Sequence, residues 1–213
     1  MAGPTVKLTP RQRRMRYAFR KAVRMLVLVV IIAGLVLADR LGVFGRAPKG
    51  DVAKYHEKTF DVTHVVDGDT LDVDLPDGSY PRTRVRLWGV DTPETVKENT
   101  PVQHFGPEAG AFTKHMTLHR PVRLELVERE TRDKYGRLLA YVFLPDGQML
   151  NRLLLEQGYA YADPRYGHPH KVEFARLQRQ AIKAGLGLWA QARQDDLPYY
   201  YRARLKLPAE EPN

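Results

Sequence analysis

The chain has 213 residues and no cysteine, and its 34 basic residues against 25 acidic give a formal net charge of +9. The missing thiols exclude a disulfide scaffold, a thiolate zinc site and a cysteine nucleophile, while a 43% apolar fraction allows an ordinary buried core. The charge is local. Residues 1–24 hold eight basic and no acidic residues, whereas residues 58–190 hold 18 of each and net 18 − 18 = 0, so overall basicity does not argue that a folded domain binds nucleic acid.

Residues 25–38 (MLVLVVIIAGLVLA) form an unbroken apolar run. As a helix rising ~1.5 Å per residue it covers about 21 Å, short of a ~30 Å hydrocarbon core. Carried on through Leu41 and Phe44, with Arg24 and Arg40 snorkelling to the interfaces, it is long enough to span. The expected layout is a basic cytoplasmic tail over 1–24, one transmembrane anchor over 25–44 and a linker over 45–57, with the rest outside the cytoplasm. The alternative is a signal peptide ending at Val36-Leu37-Ala38, whose cleavage would release a secreted protein.

Beyond residue 58 strands come first and helices later. Residues 61–66, 71–75 and 83–90 are β-branched and partly alternating, and Pro76-Asp77-Gly78 supplies a turn between the second and third. Gly106-Pro107-Glu108 opens a helix whose apolar face is expected to carry Ala109, Phe112 and Met116. Val122, Leu124 and Leu126 alternate as a fourth strand, and residues 138–144 form a fifth, closed by Pro145-Asp146-Gly147. Helices follow over 149–157, stopped by Gly158, and through Phe174, Leu177, Ala181 and Ala184 to Gly185. Five short strands with about three helices predict an α+β fold, mainly β, in which a five-stranded OB-fold barrel occupies residues 58–190 after the membrane helix. From residue 191 onward, prolines, charges and Tyr199-Tyr200-Tyr201 read as an irregular tail, packed on the barrel or free.

Three clusters carry chemistry. Val65-Val66-Asp67-Gly68-Asp69-Thr70 places two carboxylates around a glycine at a strand junction, although Asp-Gly is also an ordinary turn. Arg86-Leu87-Trp88-Gly89-Val90-Asp91-Thr92-Pro93-Glu94 runs from a strand, with Arg86, Trp88 and Val90 expected on one face, into a turn rich in oxygen ligands. Pro93 biases Thr92 toward an extended backbone that can aim its carbonyl outward. Thr131-Arg132-Asp133-Lys134-Tyr135-Gly136-Arg137 is a basic loop with one aromatic, a pattern that by itself usually marks a solvated hairpin loop. Together they suit one reaction: carboxylates and a carbonyl offer hard oxygens to calcium, two arginines neutralise a phosphodiester under attack, and a spare carboxylate takes a proton from water. His168-Pro169-His170 offers two metal-binding side chains without a third, and reads as a solvated loop.

The strings VVDGDT, VRLWGVDTPE, FGPEAGAFTKHM, RDKYGRLLAYV and GLGLW, in this order over about residues 61–189, resemble the staphylococcal nuclease (thermonuclease) family. The resemblance implies that Asp69, Asp91 and the Thr92 carbonyl hold Ca²⁺. It implies that Glu94 positions or deprotonates the attacking water, and that Arg86 and Arg137 grip the scissile phosphate and stabilise its transition state. Lys134 and Tyr135 would hold the neighbouring phosphate on the 3′ side, and Leu87 and Leu139 match apolar positions near the base pocket. After Gly158 the alignment slips, leaving Tyr166 as first choice and Tyr161 as second for the tyrosine that stacks on the base.

The implied activity is hydrolysis of DNA and RNA with little sequence preference, leaving 3′-phosphate ends, by a monomer with no protein partner beyond its nucleic-acid substrate and its membrane. The alternative is a catalytically inactive module of the same family that binds nucleic acid or protein. The full set Asp69, Arg86, Asp91, Glu94 and Arg137 favours the enzyme. So does the neutral barrel, since tight non-specific binding needs clustered cations.

Overall fold

The computed structural model describes residues 10–40, 50–95 and 103–207, and the chain divides into two compact units, Met1–Pro48 and Lys49–Asn213. The first contributes α1 (Pro10–Arg40). The side chains from Met25 to Ile32 on this helix are all 50–65% exposed. Among the described residues, no helix is long and apolar enough to cross a membrane. The helix expected over 25–44 is thus seen only in part. Its apolar run is bounded by Arg24 and Asp39, and Leu41 and Phe44, needed to lengthen it, lie outside the described residues.

The second unit begins with α2 (Gly50–Tyr55) and continues through β1 (Lys58–Asp67), β2 (Thr70–Val73), β3 (Thr83–Leu87), β4 (Val90–Asp91), α3 (Gly106–Thr117), β5 (Pro121–Glu125) and β6 (Leu138–Phe143). Then come α4 (Leu150–Glu156), β7 (Tyr161–Ala162), α5 (Lys171–Ala184), two 3₁₀ turns and α6 (Tyr199–Arg202). Five strands close a barrel in the order β1-β2-β3-β6-β5, while β4 and β7 pair separately. The expected α+β barrel is therefore present. Long β1 serves two partners: Lys58–Asp61 pairs with β5 and the stretch from Val62 to Asp67 with β2, with register shifts at two points between Val62 and Asp67. Such irregularities bend a strand and let it turn a barrel corner. The interior is filled by fully buried side chains that include Val62, Leu71, Val85, Leu124, Leu138 and Tyr141. Each fully buried side chain of this size contributes about 1.5–3 kcal/mol of transfer free energy.

Two expectations change, and two are made more definite. Residues 50–57 are not a linker: Tyr55 is fully buried and its hydroxyl shares a 3.0 Å hydrogen bond with Thr83 Oγ1. The third strand stops at Leu87, because Gly89 (φ +78°) makes a turn there that L side chains rarely adopt. Arg86 therefore does not share a face with Trp88 and Val90; it points away from the core, and the turn sends the other two inward, to 3% and 1% exposure. On α3 the expected face does pack on the core, with Ala109 fully buried and Phe112 and Met116 packed against the barrel interior, and Thr113 and Thr117 are buried as well. The segment after residue 191, left open between packed and free, is packed: Leu197 is fully buried against Tyr161, Leu188 and Trp189.

Candidate active site

The β1–β2 hairpin pairs Asp67 with Thr70, so Gly68-Asp69 form a tight turn. The Asp-Gly turn and the chemical cluster are the same object. A Cβ at Gly68 would lie 2.7 Å from Thr92 Cγ2 and 2.9 Å from Ala109 Cβ, so glycine lets the turn seat against the Asp91-Thr92 segment and α3 at once. Thr113 Oγ1 donates to the Gly68 carbonyl at 2.6 Å and fixes that contact. Register does the rest. Arg86 stands opposite Thr70 on one side and Leu139 on the other, which places its guanidinium beside Asp69.

Asp69 is 2% exposed. Its Oδ1 accepts from the Thr70 hydroxyl at 2.9 Å and from Arg86 Nη1, and its Oδ2 accepts from the Thr92 backbone N–H at 2.8 Å. Arg86 Nη2 donates to Asp91 Oδ1 at 2.5 Å and to the Val90 carbonyl at 3.2 Å. One guanidinium therefore draws a carboxylate oxygen from each of Asp69 and Asp91. Asp67, quoted in the motif but given no role by the sequence, stands behind them: its Oδ1 accepts from the Asp69 N–H at 3.1 Å. Burial pushes the Asp67 carboxyl above its ordinary value, against the pull of Arg86, Thr70 and Arg137.

Glu94 is held by its backbone, which donates to Gln103 Oε1 and accepts from the Gln103 N–H, both at 2.9 Å. In the basic loop, Asp133 receives the backbone N–H of Tyr135 and Arg137 and takes Arg137 Nε at 2.7 Å. Arg137 thus projects from a fixed turn, beside the Tyr135 ring (5.5 Å), and its charge opposes part of the rise that burial gives the Asp67 carboxyl. Arg132 corrects the reading of this loop as merely solvated. It grips Asp51 and Asp77 with four hydrogen bonds of 2.6–3.0 Å, tying the loop to α2 and the β2–β3 connection. These bonds hold Arg132 above its ordinary value and both aspartates below theirs.

The remaining expected residues divide by exposure. Lys134 and Tyr135 are exposed at the loop tip, with Lys134 Nζ 4.9 Å from the ring. Tyr166 is 49% exposed next to Arg165, which lies 3.3 Å from Asp91 Oδ2. Leu87 and Leu139 belong to the buried core, and Tyr161 is 4% exposed, edge-on to Trp189. One residue was not singled out at all: Tyr200, whose hydroxyl donates to Asp91 Oδ2 at 2.5 Å. The Tyr-Tyr-Tyr run was the visible signal, but nothing in the sequence joins it to a carboxylate 109 residues earlier.

His168 and His170 form neither a metal pair nor a solvated loop. His168 Nδ1 lies 3.0 Å from the Tyr141 hydroxyl, its ring fills the space a side chain at Gly89 would need, and His170 meets the Tyr141 ring edge-on. Burial first, then His170 and Lys171, lower the His168 pKa from 6.5 to about 4. Because the unfolded chain takes the proton first, this histidine costs stability as pH falls from 6.5 toward 4, and the loss levels off below that. The melting temperature should therefore drop on acidification through this window, and the drop should be smaller in His168→Gln. An equal drop in both proteins would remove His168 as the cause.

Among the described residues no group of three or more His, Cys, Asp and Glu is disposed to hold a metal. The donors that do converge are hard oxygens of one sign: two carboxylates drawn to one cationic group, with a third behind them. That set fits a hard divalent cation with few protein ligands and loose geometry. The two forked guanidinium groups, Arg86 and Arg137, suit a phosphodiester.

The family profile described as "Staphylococcal nuclease homologue" matches residues 84–191. The chain is 39% identical over 164 residues to the thermonuclease of Staphylococcus hyicus, covering 75% of this chain and 94% of that protein. It is 42% identical over 167 residues to the thermonuclease of Staphylococcus intermedius, covering 76% and 95%. Endonuclease YncB of Bacillus subtilis (strain 168) is 36% identical over 144 residues, 66% of each chain.

Proposed function

The chain belongs to the staphylococcal nuclease family and is a phosphodiester-cleaving hydrolase, and we propose that it is a calcium-dependent nuclease of DNA and RNA held at a membrane by its apolar segment 25–44. The observation that carries the reading is the convergence of Asp69 and Asp91 on Arg86. Asp69, Asp91 and the Thr92 carbonyl would hold the calcium, which when bound supplies Lewis-acid polarisation and neutralises charge on the phosphodiester. Arg86 and Arg137 donate to the non-bridging phosphate oxygens, where negative charge grows during attack. Glu94 accepts a proton from the attacking water. The water oxygen bonds to phosphorus in line with the 5′ oxygen, the bond to that oxygen breaks, and the leaving oxygen picks up a proton. The phosphate remains on the 3′ side. Lys134 and Tyr135, exposed at the tip of the loop that carries Arg137, hold the next phosphate, and Tyr166 stacks on a base.

The membrane role rests on the exposed apolar side chains of α1 and the cations that precede them. The cationic tail stays in the cytoplasm, and the barrel works outside it. Fractionated cells expressing the full chain test both halves of the reading. Cleavage of end-labelled DNA and RNA should follow the membrane pellet, need no cell permeabilisation, and give fragments whose 3′ ends are phosphatase-sensitive. Activity confined to the cytosol would sink the topology, and 3′-hydroxyl fragments would sink the direction of cleavage.

A further inference from the structure

We propose that Tyr200 is a positioning residue for Asp91, which makes the C-terminal segment 193–207 part of the site; the inference rests on the calcium reading above. Asp91 sits on a two-residue strand, β4, at the barrel margin, where a carboxylate would ordinarily swing between several orientations. Here its two oxygens have separate duties. Oδ1 faces Arg86 and the site, while Oδ2 accepts the Tyr200 hydroxyl at 2.5 Å. With Oδ2 tied from outside, the carboxylate plane is fixed and Oδ1 is the oxygen presented inward.

Tyr200 is itself held. It is 9% exposed, and the Arg165 guanidinium lies 4.2 Å from its ring centroid, with Arg165 anchored on Asp163 at 2.7 Å. The segment that carries it is docked rather than draped. Leu197 is fully buried, and the Tyr201 hydroxyl donates to the Ala162 carbonyl of β7, the strand paired with β4. Tyr200 and Tyr201 therefore brace the strand pair from one short helix. The segment lies beyond residue 191, where the family match ends, so a boundary drawn at 190 would cut away a support of the site.

Outer partners that orient a ligating group typically affect metal affinity by ~10–100-fold. Tyr200→Phe in the full chain removes one hydroxyl and leaves the packing in place. Calcium titration by calorimetry should show affinity about tenfold weaker, at the lower end of that range because Oδ2 keeps Arg165 nearby. The calcium needed for half-maximal cleavage should rise by the same factor, and the rate at saturating calcium should recover. The melting temperature in chelator should fall by about 3–12 °C, the cost of one hydrogen bond to a charged group in a domain of this size. A wild-type chain that binds calcium and a variant that binds it equally well would overturn the positioning role alone. So would a rate depressed equally at every calcium concentration. A wild-type chain that binds no calcium would overturn the calcium reading and this inference with it.

Discussion

Arg137→Lys should lower the single-turnover cleavage rate by on the order of 10²–10³, the scale of removing one preorganised transition-state donor. Its affinity for an uncleavable oligonucleotide should stay within about threefold, because lysine keeps the charge that attracts the ground state. What lysine loses is the planar fork. In the native loop Asp133 already takes Nε and one edge of the guanidinium at 2.7 Å, which orients the group before substrate arrives. A lysine at this position can pair with Asp133 or reach the phosphate, and it cannot hold the geometry that does both. Equal losses in rate and affinity would mean that Arg137 only holds nucleic acid.

The second large effect is expected at Asp69. Asp69→Asn preserves the shape and can still accept the Thr92 N–H, yet removes one of the two charges facing Arg86. Calcium binding and cleavage should both fall below detection while the barrel stays folded. Asp69→Ala should do more. It strips a buried acceptor from Thr70, Thr92 and Arg86 together, and breaking a buried ion pair from one side costs about 3–5 kcal/mol. Denaturant unfolding should therefore separate the two variants. Should Asp69→Asn keep wild-type calcium affinity, the assignment of Asp69 to the metal is wrong.

The difference between what the sequence conveyed and what it hid follows sequence distance. The barrel strands were legible from two signals: inward and outward residues alternate in β3 and β5, as in Thr83, Val85 and Leu87, while β2 and β6 are short apolar or β-branched runs closed by turn residues. The strands β4 and β7 have two residues each and leave no period to read. The cluster of Asp69, Arg86 and Asp91 was legible because the motifs stand close together and a hairpin with its neighbouring strand brings them into register.

The roles of Arg132, His168 and Tyr200 were not legible, for a shared reason. Arg132 resembled a loop cation until Asp51 and Asp77 arrived from 81 and 55 residues away. His168 read as part of a solvated loop, and its partner is a tyrosine hydroxyl 27 residues earlier. In each case a polar side chain that local pattern assigns to solvent is taken up by a distant element. Partial burial leaves such groups needing a partner, without saying which one.

Phosphodiester cleavage at this site should depend on a bound divalent cation. The decisive experiment is single-turnover cleavage of an end-labelled oligonucleotide by the full chain, followed across a calcium titration and in chelator. Chelator should abolish cleavage, and the rate should rise with calcium to saturation, with half-saturation in the ~10⁻⁴–10⁻³ M range of loosely held extracellular sites. Asp69→Asn should give a flat response in the same titration. Full-rate cleavage in chelator, or a wild-type chain that binds the oligonucleotide at saturating calcium and leaves it intact, would show that the site does not work through a bound cation.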